Sequence, residues 1–246
     1  MQNTENLRPF GTLEKDNDIC YKGRWHPTAV PCFESILKEG LLSDMPKSLR
    51  KNIAYSLQYM QYLELQLDEL NLHNVIITMI YKNYIITGTS IIEGIFCYLL
   101  KSSDLWKQKL WELDSVIKSN EYKQNSMKYK LETFIYKKID PVDDEMNFDS
   151  MIKKMESKNI LSLNHKAYPY IKKLKRLRNK VHLQINEHED DTDWFNFNYI
   201  DYLWMRYVLH KVLTDDAFKN KSGKYIDFIK CNHEEIEQLN NDIKRE

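Results

Sequence analysis

With 246 residues the chain can hold one large domain or two small ones, and either size buries a core without disulfide support. Lysine plus arginine number 36 and so do aspartate plus glutamate, so the formal net charge of +0 excludes a global pull towards nucleic acid or anionic lipid. Only six glycines and six prolines are present, with no proline between Lys47 and Asp140, which argues against a turn-rich β protein and for long helices.

Four of the six prolines, Pro9, Pro27, Pro31 and Pro46, fall in residues 1–47, which read as an irregular arm with a short helical look only over 32–41. From Ser48, read as an N-cap, the spacing of Ile53, Leu57, Met60, Leu63, Leu67 and Leu70 predicts a long amphipathic helix. Residues 75–100 are the most apolar, but Lys82, Asn83 and Glu93 divide them, so they read as a buried core helix and not a membrane span. Its stripe of Asn83, Thr87, Ser90 and Gly94 permits close helix contact.

Leu105, Trp106, Leu110, Leu113 and Ile117 predict a helix over 104–118, and Met127, Leu131, Phe134 and Ile135 another over 126–138, with a break at 119–125. Pro141 among Asp140, Asp143, Asp144 and Glu145 marks an acidic connection. Helices resume over 148–157 and 162–181, the second started or kinked by Pro169. After an acidic loop at 187–193, Asn198 caps a helix with the apolar face Ile200, Leu203, Trp204, Tyr207 and Val208. The tail predicts a short strand at 225–229 and a charged finish from Glu234 that frays or forms an exposed helix.

The expected fold class is therefore all-α: a helical bundle over 48–215 between the arm at 1–47 and a C-terminal extension at 216–246. The cysteines Cys20, Cys32, Cys97 and Cys231 lack the paired spacing of a zinc site, and the start of the chain lacks the sections of a secretory signal. The expectation is a cytoplasmic protein with reduced thiols, no metal and no cofactor. No phosphate loop, nucleophile elbow or His-Glu-x-x-His pattern is present.

The concentrated chemical signal lies at 172–180, where six of nine residues are Lys or Arg. The ordinary reading is a solvated face that balances the acidic loop downstream. Helical rotation adds to this: Leu174, Leu177 and Val181 form a buried stripe, with Arg178 and His182 beside it, one turn apart. That spacing lets a fixed guanidinium and a titratable imidazole converge on one phosphate.

The run Leu174-Lys175-Arg176-Leu177-Arg178-Asn179-Lys180-Val181-His182-Leu183, near the end of an amphipathic helix, resembles the signature of the HEPN superfamily (higher eukaryote and prokaryote nucleotide-binding domains). The long helix from Ser48 and the apolar helix with Ser90-Ile91-Ile92-Glu93-Gly94 fit the same layout. The hallmark is Arg, four to six residues, then His; strict spacing selects Arg176, whereas the helical wheel and the Arg-Asn pair select Arg178.

The resemblance implies a helical bundle and a metal-independent endoribonuclease acting as a homodimer with facing motifs, a toxin or antiviral defence effector with an antitoxin or regulatory partner and no membrane role. It implies that His182 moves the proton, Arg178 stabilises phosphorane charge and Asn179 positions the loop or phosphate. Lys172, Lys175, Arg176 and Lys180 would hold RNA, with Trp194, Phe195 and Phe197 stacking bases or packing on the bundle. Glu93, a carboxylate in the most apolar helix, calls for an Arg or His across the bundle. The alternative is a non-catalytic helical module that binds RNA, a nucleotide or a partner protein.

Overall fold

The computed structural model describes residues 25–181, 191–219 and 223–244. Of the described residues 61% are helix and 14% strand, so they are mostly helical but not all-α. Its contacts divide it into two compact units. One combines the residues before 100 with those from Phe148 onward, and the other is Leu100–Asn147.

The helical unit is built on α2 (Lys47–Glu69), α3 (Asn74–Ser102, which runs on past Leu99), α5 (Ala167–Asn179) and α7 (Tyr199–Leu213). Helix α2 buries Ile53, Leu57, Met60 and Leu63, the early part of the stripe its sequence predicts. Each fully buried side chain of this kind is worth roughly 1.5–3 kcal/mol. Ser48 is not the cap: Pro46 holds the N-cap position with no side-chain bond, because its fixed φ already suits helix entry. Pro169 lies in the first turn of α5, where its missing N–H costs nothing. Asn198 caps α7 as expected, its side chain accepting from the Asp201 N–H.

Helix α1 (Val30–Ile36), a 3-10 turn at Gly40–Leu42 and the short α4 (Phe148–Lys158) complete the packing, with α6 (Asp193–Asn196) leading into α7. The described part of the arm is tied to α2: Gln58 Nε2 donates to the Thr28 carbonyl and the Thr28 N–H donates to Gln61, both at 2.8 Å. Residues 1–24 lie outside the described residues. In the tail the expected strand at 225–229 is instead a 3-10 helix, Gly223–Ile229, whose Ile226 and Ile229 bury against the unit. The final helix, α8 (His233–Ile243), starts from a capping box of Asn232 and Glu235.

The tightest helix contact occurs at Gly88, where a Cβ would stand 2.8 Å from Met205 Sδ, and Gly94 of the polar stripe lies against Leu49 of α2, its Cβ position 3.5 Å from Leu49 Cδ1. Asn83 and Ser90 of that stripe are exposed. Helix α3 is long and apolar enough to cross a membrane by length and composition, and half of its most apolar window is buried within the protein.

Leu100–Asn147 overturns two predicted helices. The chain here forms β1 (Gln108–Lys118), β2 (Tyr122–Gln124), β3 (Met127–Tyr129) and β4 (Glu132–Asp143), with β1 antiparallel to β4 and β2 antiparallel to β3. Aromatic and β-branched residues such as Thr133-Phe134-Ile135-Tyr136 favour the pleated state. The tip is a two-residue turn at Asn125-Ser126, both with positive φ (50° and 63°), the backbone that matches hairpin twist. Register shifts follow Lys109 and Leu113, and Pro141 sits within the first, where no ladder donor is required. At the base of this unit Trp106 Nε1 donates to the Asp144 carbonyl at 2.9 Å, and Lys101 pairs with Asp143 at 2.8 Å.

Candidate active site

Helix α5 presents its apolar stripe inward. Tyr170, Ile171, Leu174 and Leu177 are buried, and the Tyr170 ring stacks on Trp204 of α7 with an interplanar angle of 11°. This register turns Arg178 towards α3 and leaves Arg176 exposed. Arg178 Nη2 donates to Glu93 Oε2 at 2.9 Å, and its Nη1 reaches Asn179 Oδ1 at 3.5 Å. Glu93, Arg178 and Asn179 thus stand together, joining two helices 85 positions apart in sequence. The two side chains of the ion pair remain 27% and 34% accessible, which leaves donor positions of the guanidinium open to an anion.

Regular helix ends at Asn179, and the last turn tightens: Lys180 N–H bonds to the Leu177 carbonyl at 3.0 Å and Val181 N–H to that of Arg178 at 3.3 Å. The one-turn helical register between Arg178 and His182 is therefore not continued by α-helix beyond Asn179, and His182 lies outside the described residues. So does most of the acidic loop, residues 187–190.

The lysines of the basic helix are engaged with acids. Lys175 meets Asp149 at 2.5 Å, Lys172 meets Glu156 at 3.2 Å, and Lys180 meets Asp191 at 2.6 Å and Asn196 Oδ1 at 2.9 Å. Asp191 belongs to the acidic loop, so the neutralising role expected of that loop holds for Lys180. Arg176 has no ion-pair partner among the described residues. Nearby, the buried Lys82 contacts both carboxylate oxygens of Asp193 at 2.8 Å and lies 5.5 Å from the Phe197 ring. Phe197 is fully buried and packs the unit, whereas Trp194 and Phe195 are 48% and 65% exposed.

A second polar cluster was not visible in the sequence. Glu64 of α2 accepts a 2.5 Å bond from Tyr202 and pairs with Arg206 at 3.3 Å, and Arg206 also pairs with Glu235. Burial holds the Glu64 carboxyl above its ordinary value of 4.5, although Arg206 opposes the shift. Tyr81, stacked 4.8 Å from Tyr202, is pushed up to about 12 by burial. These groups line a cleft of about 380 Å³ with Tyr199, Phe228 and Lys230, and none of the basic-helix candidates lines it. The signal missed is long-range: Tyr202 and Glu64 are 138 positions apart, beyond any motif spacing.

Comparison of the chain with described protein families, curated proteins and solved structures finds no match. Among the described residues no group of three His, Cys, Asp or Glu side chains is placed to hold a metal ion.

Proposed function

We propose that the protein is a metal-independent endoribonuclease of HEPN type, with a HEPN-like helical bundle as its scaffold and a cytoplasmic, defence or toxin role. The observation that carries this reading is the Glu93–Arg178 pair, which aims a guanidinium at the end of α5 just before the segment containing His182.

In the proposed reaction the RNA 2′-hydroxyl attacks its own 3′-phosphate. His182 accepts the hydroxyl proton, the P–O5′ bond breaks, and a proton is delivered to the departing 5′ oxygen. Arg178 stabilises the extra negative charge of the pentavalent phosphorus, and Glu93 keeps the guanidinium oriented. Asn179, beside Arg178, hydrogen-bonds a phosphate oxygen. Arg176, exposed and without an ion-pair partner among the described residues, holds the strand. The products are a 2′,3′-cyclic phosphate and a 5′-hydroxyl.

The second reading, a non-catalytic helical module that binds RNA, a nucleotide or a partner protein, is favoured by one specific observation. Lys172, Lys175 and Lys180 each face a carboxylate, so a phosphate backbone would have to displace those partners.

The two readings separate in one assay. Purified protein incubated with single-stranded RNA in EDTA should produce fragments ending in cyclic phosphate, and intact RNA with measurable binding would instead establish the module.

A further inference from the structure

The ribbon within Leu100–Asn147 carries an apolar face that the proposed reaction does not use. Side chains alternate along a strand, so residues paired across β1 and β4 share a side. The register places Trp111 beside Lys138, Leu113 beside Tyr136, Val116 beside Phe134, and Lys118 beside Glu132 on one face. The other face has Glu112 beside Lys137, an ion pair at 3.3 Å, then Ser115 beside Ile135 and Ile117 beside Thr133.

The bulge at Asp114 creates this asymmetry. Were Asp114 paired in a regular ladder, Val116 would turn to the opposite side; because Asp114 is bulged out of the register, five apolar side chains align. Trp111, Leu113, Phe134 and Tyr136 are 53%, 45%, 51% and 54% exposed. A two-stranded ribbon is at best marginally stable on its own, and a contiguous apolar patch on it marks an interaction surface.

Three features point to what covers it. The unit holds nine lysines and nine acidic residues, so it has no net field to recruit nucleic acid or anionic lipid. Strand addition at the edges is hindered, since β4 is interrupted by Pro141 within a bulge and β1 by the bulge at Asp114. The face itself is self-complementary. With a two-fold axis along the ribbon, Trp111 lies over the second copy's Lys138, Leu113 over its Tyr136, Val116 over its Phe134 and Lys118 over its Glu132. With the axis across the ribbon, Lys138 lies over the second copy's Glu132 and the apolar rows again meet. In either arrangement no lysine of the rim faces another.

We infer that this face is a homodimerisation surface, covered by the same face of a second copy's ribbon in an isologous contact. Whole aromatic side chains bring about 150–250 Å² each, so the half-exposed residues of the face offer roughly 400–500 Å² per copy. A pair with its charged rim then reaches roughly 1,200 Å², the lower end of specific interfaces, where weak and transient contacts are found, and a micromolar Kd is the expectation for a contact of that class. The inference does not rest on RNA cleavage, and its test contains no RNA.

The test is sedimentation equilibrium of the full chain from about 1 to about 100 µM, the span a micromolar Kd requires. The wild-type mass should rise from 29.6 kDa towards twice that value. Phe134→Glu should remain monomeric throughout, and Ile117→Glu, on the opposite face, should dimerise like wild type. Tyr136→Thr keeps strand propensity and should weaken the dimer about tenfold, which guards against a Phe134→Glu chain whose ribbon fails to form. A wild-type chain that stays monomeric at the highest concentration overturns the inference. So does a dimer that survives Phe134→Glu and Tyr136→Thr, or one that is lost with Ile117→Glu alone.

Discussion

Arg178 is oriented before any ligand arrives, because Glu93 on the neighbouring helix already accepts its hydrogen bond. About a third of each side chain is in contact with solvent, so screening limits the pair to roughly 0.5–1 kcal/mol of stability, and its value lies in orientation. The need for a partner was legible from Glu93 itself, a carboxylate in the most apolar helix. The lysine partners were not, since Asp149 and Glu156 sit on a different helix and charge density alone does not say which cations are already neutralised. Glu64 makes a pH prediction. Its folded-state proton is held more tightly than in the unfolded chain, so the stability this contributes is full at low pH and is lost as pH rises through the raised value. Urea midpoints of wild type and Glu64→Gln, measured from about pH 4 to about pH 7, should show wild type losing ground as pH rises. A difference that stays constant with pH would refute the assignment.

Among the elements, the helices with long amphipathic stripes were readable, α2 from Ile53 to Leu63 and α5 from its proline onward, and α7 was readable from its Asn198 cap as well. The ribbon was not, for a physical reason. Leu110, Leu113 and Ile117 happen to fall at three- and four-residue intervals, and the bulge at Asp114 breaks the two-residue alternation that would have exposed the strand. Asn125-Ser126 is a weaker hairpin signal than Asn-Gly, because serine adopts positive φ less readily than glycine. Glycine positions give the test at this scale. Gly40 has φ +57°, and a Cβ there would stand 2.2 Å from the Ala217 carbonyl oxygen, whereas at Gly94 the nearest atom, Leu49 Cδ1, is 3.5 Å away. Gly40→Ala should therefore cost about 2 kcal/mol or more, and Gly94→Ala should be neutral or stabilise by up to about 1 kcal/mol. Equal effects of the two in chemical denaturation would contradict this packing.

At the scale of the whole molecule the two units differ in what holds them. The helical unit buries side chains from α1 to α8, while most side chains of the ribbon are exposed. Hydrogen exchange at concentrations too low for dimerisation should show amides of 108–118 and 132–143 exchanging at least about tenfold faster than those central in α2, α3 and α7. Uniform protection would mean that the ribbon is stabilised by contacts of another kind. Neutral composition concealed this division, because Leu100–Asn147 carries both charge signs and apolar residues in the same proportions that an amphipathic helix would.

The reading of Arg178 as the phosphate-stabilising residue meets its most direct test in initial rates of RNA cleavage in EDTA for wild type, Arg178→Ala, Arg176→Ala and His182→Ala. Arg178→Ala and His182→Ala should each lose at least about 100-fold with near-wild-type thermal stability, and Arg176→Ala should lose only a few fold. Cleavage by Arg178→Ala at the wild-type rate, or a larger loss at Arg176 than at Arg178, would contradict it.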